Sequence, residues 1–288
     1  MSQVLTPKDV PLRRDRQPYA ERHWGTWAGA AVAMAIVAAL IASLATNKNL
    51  DYGVITRNLT AGPVLRGLLT TFVMSIVGMV IGLVLGTLVA LARMSSNRVL
   101  QAVAFAYIWF FRGVPLLVQL LVWGNLGLLF ATLSLRIPFT QIVLVEANTN
   151  KVVTATVAAC LGLGLHEAAY MAEIVRGGIL AVDVGQGEAA TALGMTSSLA
   201  MRRIVLPQAL RVIIPPTGNQ FISLLKASSL VSVIAGGDLL TAVENISAVN
   251  YRTMELLAVA SFWYLVIVSV LSIGQHFLER RLSRGHQR

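Results

Sequence analysis

The chain contains 288 residues, of which 56% belong to the hydrophobic class and only 12% are charged. Soluble domains carry about 25% charged residues, so this composition argues against a soluble globular enzyme, and its hydrophobicity excludes a disordered chain. We interpret the net charge of +10 as basic loops facing anionic lipid rather than as a surface for nucleic acid. The single cysteine, Cys160, excludes an intrachain disulfide and a cysteine-rich metal site.

Six apolar stretches predict six membrane-spanning helices. A helix needs about 20 apolar residues to cross the bilayer, and each stretch holds few charges or none. The stretches are 24–47, 67–92, 99–135, 152–176, 212–237 and 256–278. The first is too long for the core of a cleaved signal peptide, which is the alternative for that stretch.

The basic residues predict the orientation of these spans. Most of the 23 Lys and Arg residues fall on the cytoplasmic side if the N-terminus is cytoplasmic. The positive-inside rule therefore predicts that both termini are cytoplasmic. In chain order we expect a basic tail (1–23), an extra transmembrane helix (24–47), a membrane domain (64–280) with a cytoplasmic loop (183–207), and a second tail (281–288).

No catalytic or cofactor motif is found in the sequence. No lysine follows a glycine, so the chain lacks a Walker A phosphate loop. The 4 histidines have no metal-ligand spacing. We therefore expect a chain that is not itself an enzyme and that holds neither a metal nor a cofactor.

The cytoplasmic loop 183–207 has the sequence of two short helices joined by a corner. Asp183 can cap the first helix, with Gln186 as its capping-box partner. Gly194 is placed to end that helix in a left-handed conformation. Thr196 or Ser197 can begin the second helix, and Pro207 is expected to close it before the next span. The plain interpretation of this segment is an amphipathic interfacial loop.

The spacing within this loop resembles the coupling-loop signature of ABC importer permeases. The pattern is Glu-Ala-Ala, three residues, Gly, nine residues, then Ile-x-Leu-Pro. Every position of it is occupied here, by Glu188, Ala189, Ala190, Gly194, Ile204, Leu206 and Pro207. The resemblance implies that these residues couple the chain to an ATP-binding subunit.

Three further segments resemble the polar amino acid family of these permeases, which carries histidine, glutamine, glutamate, arginine or opines. They are Phe-Arg-Gly-Val-Pro-Leu-Leu-Val-Gln at 111–119, Ala-Tyr-Met-Ala-Glu-Ile-Val-Arg-Gly-Gly at 169–178, and the segment 219–230. The chain departs from the family pattern at Gly187, where a Trp is usual, and at Val114 and Ser228, which each replace a Thr. The segment 134–151 also resembles an addition to the family core.

This resemblance implies a fold and a set of partners. The expected fold is an all-α polytopic membrane bundle, with a five-span ABC importer permease core and one extra N-terminal helix. The expected partners are an ATP-binding subunit that holds ATP and Mg²⁺, an extracytoplasmic solute-binding protein, a second permease copy or a similar permease, and the lipid membrane, without nucleic acid. The expected location is the bacterial plasma membrane, that is, the cell inner membrane.

Polar residues within the spans are candidates for a translocation path. A charge at bilayer depth costs at least about 2.5–3.5 kcal/mol and therefore normally faces a cavity or a partner. The candidates are Arg112, Gln119, Tyr170, Glu173, Asn219 and Lys226. In this hypothesis the guanidinium binds the α-carboxylate of an amino acid and Glu173 binds its ammonium. In the alternatives, Glu173 pairs with Arg176 on the same helix, and Arg112 and Lys226 snorkel to an interface.

Helix breaks are expected beside these charges. Pro115 should disturb the third span, and Pro215 with Pro216 should disturb the fifth. Broken helices at membrane depth belong where backbone lines a pathway.

A second function remains possible from the residues alone. A proton-coupled secondary transporter would use Glu167 and Glu173 as proton carriers. That hypothesis explains the spans but leaves the pattern from Glu188 to Pro207 unexplained, so the sequence favours the ATP-driven importer.

Overall fold

The computed structural model describes residues 24–136 and 143–283, and these are predominantly helical. The predicted tail 1–23 and most of the tail 281–288 lie outside the described residues. The elements are α1 (Trp24–Ala45), α2 (Tyr52–Leu59), α3 (Gly62–Met94), α4 (Arg98–Gly113), α5 (Leu116–Gly124), α6 (Leu126–Leu129), β1 (Thr132–Arg136), β2 (Val143–Asn148), α7 (Thr149–Val152), α8 (Ala155–Leu180), α9 (Val184–Ala192), α10 (Ser197–Ala200), a π-helical turn (Met201–Val205), α11 (Leu206–Ala227), a 3₁₀ segment (Ser228–Ile234), α12 (Leu239–Asn250) and α13 (Thr253–Ser283).

Three of the described helices are long and apolar enough to cross a membrane by themselves, namely α1, α3 and α13. Two bent helix pairs raise that number to five if each pair is one span: α4 with α5, and the segment Ser197–Ile234 with α12. The predicted helical membrane bundle is therefore confirmed. The predicted fourth span corresponds to α8, which is outside this set and is rich in fully buried residues.

The first helix forms a unit with the residues up to Leu50, separate from the unit 51–288. It is 22 residues long, carries no charged residue and has no buried side chain. These properties are those of a membrane span, in agreement with the predicted extra N-terminal helix.

Close packing of α3 against α8 forms the centre of the larger unit. Gly78, Gly82 and Gly86 repeat every four residues on α3, so they lie on one face of that helix, and all three are buried. A Cβ atom built at Gly82 would lie 2.6 Å from Glu167 Cγ, and one at Gly86 would lie 2.7 Å from Met171 Cβ. Small residues of this kind let helix backbones approach closely in membranes.

Of the two expected helix breaks, the structure contains one and lacks the other. The α4–α5 pair bends by 99° at Pro115, as expected. In contrast, α11 runs without interruption through Pro215 and Pro216, so the predicted break there is wrong. The bend of the fifth span lies further along the chain, before α12, where Ala235 and Gly237 both adopt positive φ values. Beside the proline pair, Gln275 Nε2 of α13 donates a 2.8 Å hydrogen bond to the Pro215 carbonyl and so ties α11 to α13.

The segment 134–151, predicted as an addition to the family core, contains most of a β-hairpin within the otherwise helical chain. Strands β1 and β2 pair antiparallel, with Thr132 opposite Asn148 and Ser134 opposite Glu146. Alternate side chains of a strand face opposite sides, and exposed apolar residues such as Leu144 and Val145 occur on both faces of β2. The apolar run that suggested a long third span therefore ends in a hairpin that belongs to neither neighbouring helix.

We predict that Gly82→Val destabilises the bundle. The added side chain would overlap Glu167, and overpacking of a dense core costs about 1–3 kcal/mol. The melting temperature of the detergent-solubilised protein should fall by roughly 5 °C. The matched control is Gly274→Val on α13, where a Cβ atom meets nothing within 4 Å. Equal melting temperatures for the two variants would contradict the close approach of α3 and α8.

Candidate translocation and coupling sites

The break between α4 and α5 follows from local stereochemistry. The residue before a proline is driven out of the helical region, and Val114 has φ −90° and ψ 130°. Pro115 lacks the N–H group that would otherwise bond to the Phe111 carbonyl in a continuous helix. The break therefore leaves backbone carbonyls without their helical partners, inside a membrane-spanning pair of helices.

Gln119 supplies the missing hydrogen bonds. Its Nε2 atom donates to the Phe111 carbonyl at 3.0 Å and to the Val114 carbonyl at 2.8 Å. The side chain is 4% exposed, so these bonds are shielded from water. An unsatisfied backbone group in the bilayer costs several kcal/mol. Gln119 is thus a structural brace of the break as well as a predicted path residue.

A chain of contacts leads from this brace to the surface of α8 and on to Arg112. Gln119 Nε2 lies 3.2 Å from His166 Nδ1, and the His166 and Tyr170 rings are 5.0 Å apart. The exposed Arg112 guanidinium lies over the Tyr170 ring, 5.2 Å from its centroid, in a cation–π contact. We call these four residues the break cluster.

The break cluster joins three of the predicted path residues and adds a fourth group that sequence reasoning missed. Arg112, Gln119 and Tyr170 are among the predicted path residues, whereas His166 is not. A signal for it exists in the sequence, because His166 and Tyr170 are four residues apart and hence on one face of a helix. A cation over an aromatic ring next to a buried amide can bind a carboxylate-bearing solute, because the guanidinium fork matches a carboxylate.

Glu173 makes the intrahelical ion pair that the alternative interpretation describes. Its Oε2 atom accepts from Arg176 Nη2 at 2.7 Å and from Arg176 Nε at 3.2 Å. Both side chains are partly exposed, at 28% and 35%, and pairs of this kind are worth only about 0.2–0.5 kcal/mol. A solute ammonium could therefore compete for Glu173 at little cost.

The two remaining path candidates lie elsewhere, on α11. Asn219 Nδ2 donates to Glu279 Oε1 on α13 at 3.1 Å, and Lys226 is exposed. They are seven residues apart and share one face of the helix. Among the described side-chain contacts, none joins them to the break cluster.

A further carboxylate is fully buried at the α3–α8 contact. Glu167 is 1% exposed, and its Oε2 atom accepts from Gln220 Nε2 of α11 at 3.2 Å. Its Oε1 atom has no hydrogen-bond partner within the described chain. Glu167 therefore links three helices at a position that Gly82 leaves open.

The first arm of the loop 183–207 begins and ends at the predicted residues. Asp183 Oδ1 accepts from the Gly185 N–H at 2.7 Å and caps α9. Gly194 has φ +78°, and the Gly194 and Met195 N–H groups donate to the Thr191 and Ala190 carbonyls. This pair of bonds is a Schellman motif, which needs a left-handed residue that glycine adopts without strain.

Two details of the loop differ from the prediction. The capping box is absent, because Gln186 Oε1 accepts instead from Gln208 Nε2 at 3.3 Å. Pro207 does not close the second helix: α10 continues through the π-helical turn into α11, and Pro207 lies in the first turn of α11. A proline removes one i→i−4 bond, which a π-helical turn accommodates by shifting to i→i+5 pairing.

Of the pattern residues, Ala190 is buried, Ile204 is half-buried, and the others, including Gly194 and Pro207, are exposed. Ala190 is fully buried and Gly194 forms the corner, so these two define the shape of the loop. Glu188, Ala189 and Leu206 are exposed. Exposed apolar residues beside them include Leu193 at 82%, and an exposed apolar surface of this kind fits a contact with another protein.

Comparison with known proteins identifies the family to which this chain belongs. The family model described as a binding-protein-dependent transport system inner membrane component matches residues 82–284. An arginine transport system permease protein of Corynebacterium glutamicum is 43% identical, over 93% of this chain and 83% of that protein. A probable glutamine ABC transporter permease protein of Bacillus subtilis is 35% identical, over 76% and 93% of the two chains.

A solved structure supports the same family assignment. A chain of an amino acid ABC transporter crystallised with histidines is 38% identical, with a TM-score of 0.65 over 76% of this chain and 94% of that chain. A chain of the methionine ABC transporter MetNI, 21% identical with a TM-score of 0.55, shares the fold. The residues matched by the family model, 82–284, include both the break cluster and the loop 183–207.

We predict that Gly194→Val opens the corner of the loop. A β-branched residue in the left-handed region costs roughly 1–2 kcal/mol, so local opening should become about 5–30-fold more frequent. Hydrogen–deuterium exchange of the segment 190–200 measures this directly. Gly274→Val serves as the control, since Gly274 lies outside the loop and has open space around it. Unchanged exchange in the Gly194 variant would show that the left-handed corner is not required.

Proposed function

We propose that this chain, which belongs to the family of binding-protein-dependent transport system inner membrane components, is the permease subunit of an ATP-driven importer for polar amino acids. The observation that carries the proposal is the family match together with relatives that are themselves named amino acid permeases. A histidine-bound amino acid transporter of the same fold adds support from structure. The chain supplies the membrane path, and a partner subunit hydrolyses ATP.

Membership of this family implies two kinds of partner, an ATP-binding subunit and a solute-binding protein. We further propose that two permeases, either two copies or one copy and a similar chain, pair around the path. ATP and Mg²⁺ would reside on the ATP-binding subunit, and we assign no cofactor to this chain. The loop 183–207 and both termini would be cytoplasmic, as the basic residues predict.

The coupling role is assigned to the loop corner. Asp183, Gly194 and the Schellman bonds hold the two arms in one shape. The second arm is continuous with α11 through the π-helical turn. A movement of the ATP-binding subunit against the exposed Glu188, Ala189 and Leu206 would therefore be transmitted directly to α11, because no flexible linker separates the loop from that helix.

The substrate path is assigned to the break cluster. Arg112 is exposed and stacks on Tyr170, so its guanidinium can exchange that contact for a solute carboxylate. Glu173 lies three residues after Tyr170 and is available to an ammonium through exchange with Arg176. Asn219 and Lys226 would line the path from α11, on the face that both residues share.

The alternative function, a proton-coupled secondary transporter, needs Glu167 and Glu173 as proton carriers. Glu167 is fully buried against α3 and hydrogen bonded to Gln220, and Glu173 is paired with Arg176. Among the described hydrogen bonds and ion pairs, none joins Glu167 to Glu173. The family match favours the ATP-driven importer.

We predict that uptake is driven by ATP and not by a proton gradient. The permease, purified with its co-expressed ATP-binding subunit, is reconstituted in proteoliposomes and supplied with the solute-binding protein and radiolabelled arginine, histidine or glutamine. Uptake should require ATP at the face of the loop 183–207 and should persist when a protonophore collapses the pH gradient. The variant Glu167→Gln should retain this ATP requirement. Uptake that follows the pH gradient without ATP would overturn the proposal.

A further inference from the structure

The stretch of chain that follows the bent pair α4–α5 exposes a dense set of apolar side chains. It consists of α6, β1 and β2, which we call the hairpin segment. Four of its large apolar side chains are each more than half exposed, namely Leu128, Leu129, Leu144 and Val145. A cluster of exposed apolar residues indicates contact with a partner or with a membrane.

The base of the hairpin is held by the short helices on either side of it. Thr149, the first residue of α7, is fully buried, and its N–H group donates to the Ala131 carbonyl at 3.1 Å. Its hydroxyl donates to the Phe130 carbonyl. A Cβ atom built at Gly127 would lie 2.0 Å from Asn150 Oδ1, so α6 and α7 are in direct contact. The exposed apolar residues therefore belong to a surface with a fixed base.

The length of α8 indicates the depth of this base in the bilayer. Residues 149–152 come shortly before α8, and the loop 183–207 comes shortly after it. The 26 residues of α8 extend over about 39 Å at 1.5 Å per residue, which exceeds the hydrocarbon thickness of about 30 Å. With α8 as the predicted fourth span, the base of the hairpin lies near the lipid headgroups of the membrane face opposite the loop 183–207.

Both faces of the hairpin are apolar. Leu144 and Val145 are adjacent in β2 and therefore point to opposite faces. A soluble protein that docked on one face would leave the other face in water, and burial of apolar surface is worth about 25 cal/mol per Å². An apolar environment on two sides favours lipid over a single docked protein.

The edges of the hairpin determine how deeply it can lie. Within the described residues the sheet has only two strands, so each strand has one unpaired edge. Open edges of this kind do not occur in the hydrocarbon core, because their backbone groups would lack hydrogen-bond partners. The boundary between headgroups and acyl chains offers apolar contact and hydrogen bonding together.

The charges and the preceding helix also favour lipid. The two strands contain one residue of each sign, Arg136 and Glu146, and their zero net charge gives no attraction to a charged protein surface. Exposed apolar residues of α5, including Leu121 and Val122, lead along the chain into those of α6. Because α5 belongs to a membrane-spanning pair, the apolar surface of the hairpin segment continues a surface that faces lipid.

We propose that the hairpin segment is an interfacial anchor, which lies among the lipid headgroups opposite the loop 183–207 and contacts the acyl chains through both of its faces. It attaches the end of the bent pair α4–α5 and the beginning of α8 to the bilayer surface. The anchor requires only a membrane-spanning bundle, so it does not depend on the transported solute or on ATP.

Quenching by spin-labelled lipid tests the anchor. Leu144→Cys, Val145→Cys and the control Leu193→Cys are each introduced into the full-length chain carrying Cys160→Ala, and each single cysteine is labelled with a fluorophore. Leu193 is the matched control because it is equally apolar and 82% exposed, but lies at the corner of the loop 183–207. The permease alone is reconstituted in phosphatidylcholine nanodiscs that contain a spin-labelled lipid. The labels at 144 and 145 should both be quenched at least about threefold more strongly than the label at 193.

The position of the spin label measures the depth of the hairpin. A spin label near the headgroup should quench more strongly than one near the end of the acyl chain, because the open edges keep the hairpin out of the hydrocarbon. Stronger quenching by the deep label would overturn the interfacial position. Quenching at only one of the two hairpin positions would show that lipid covers a single face, and quenching at neither beyond the control would show that water or a second protein chain covers both. Each of these results overturns the proposal.

Discussion

The architecture depends on one constraint, the need to satisfy backbone groups at a helix break inside the membrane. Pro115 ends α4 and turns the chain by 99°, which exposes carbonyls that cannot find water in lipid. A single buried amide, Gln119, bonds to two of them and touches His166 on α8. The polar side chains of α4, α5 and α8 therefore gather at the break, where Gln119 contacts both the freed carbonyls and His166.

The position of α8 in turn depends on glycine. Because Gly82 and Gly86 carry no side chains, α8 lies directly against α3 and brings Glu167 into the core. The break cluster is then supported on one side by a rigid packed interface. The loop 183–207 is connected to the bundle in a similar way. Its corner is fixed by the left-handed Gly194, and its second arm continues directly into α11.

Features that depend on neighbouring residues could be predicted from the sequence, and features that depend on tertiary contacts could not. The cap at Asp183 and the corner at Gly194 follow from local stereochemistry, and the structure contains both. The proline pair predicts a break from local stereochemistry alone, yet α11 continues through it within the packed bundle. The role of Gln119 likewise required knowledge of which carbonyls lie within its reach. The sequence did not predict the hairpin, because its first strand lies at the end of the apolar stretch 99–135 and resembles a continuation of the preceding helices.

The most direct test of this account is the rate of ATP-driven amino acid uptake by Gln119→Leu, at matched assembly with the ATP-binding subunit. Leucine preserves apolar bulk but removes both hydrogen bonds, leaving two carbonyls unpaired at about 1–3 kcal/mol each. The account predicts that uptake falls by at least about tenfold, while the assembled complex is still formed. Uptake at the unmodified rate would show that the break does not depend on Gln119 and would contradict the account.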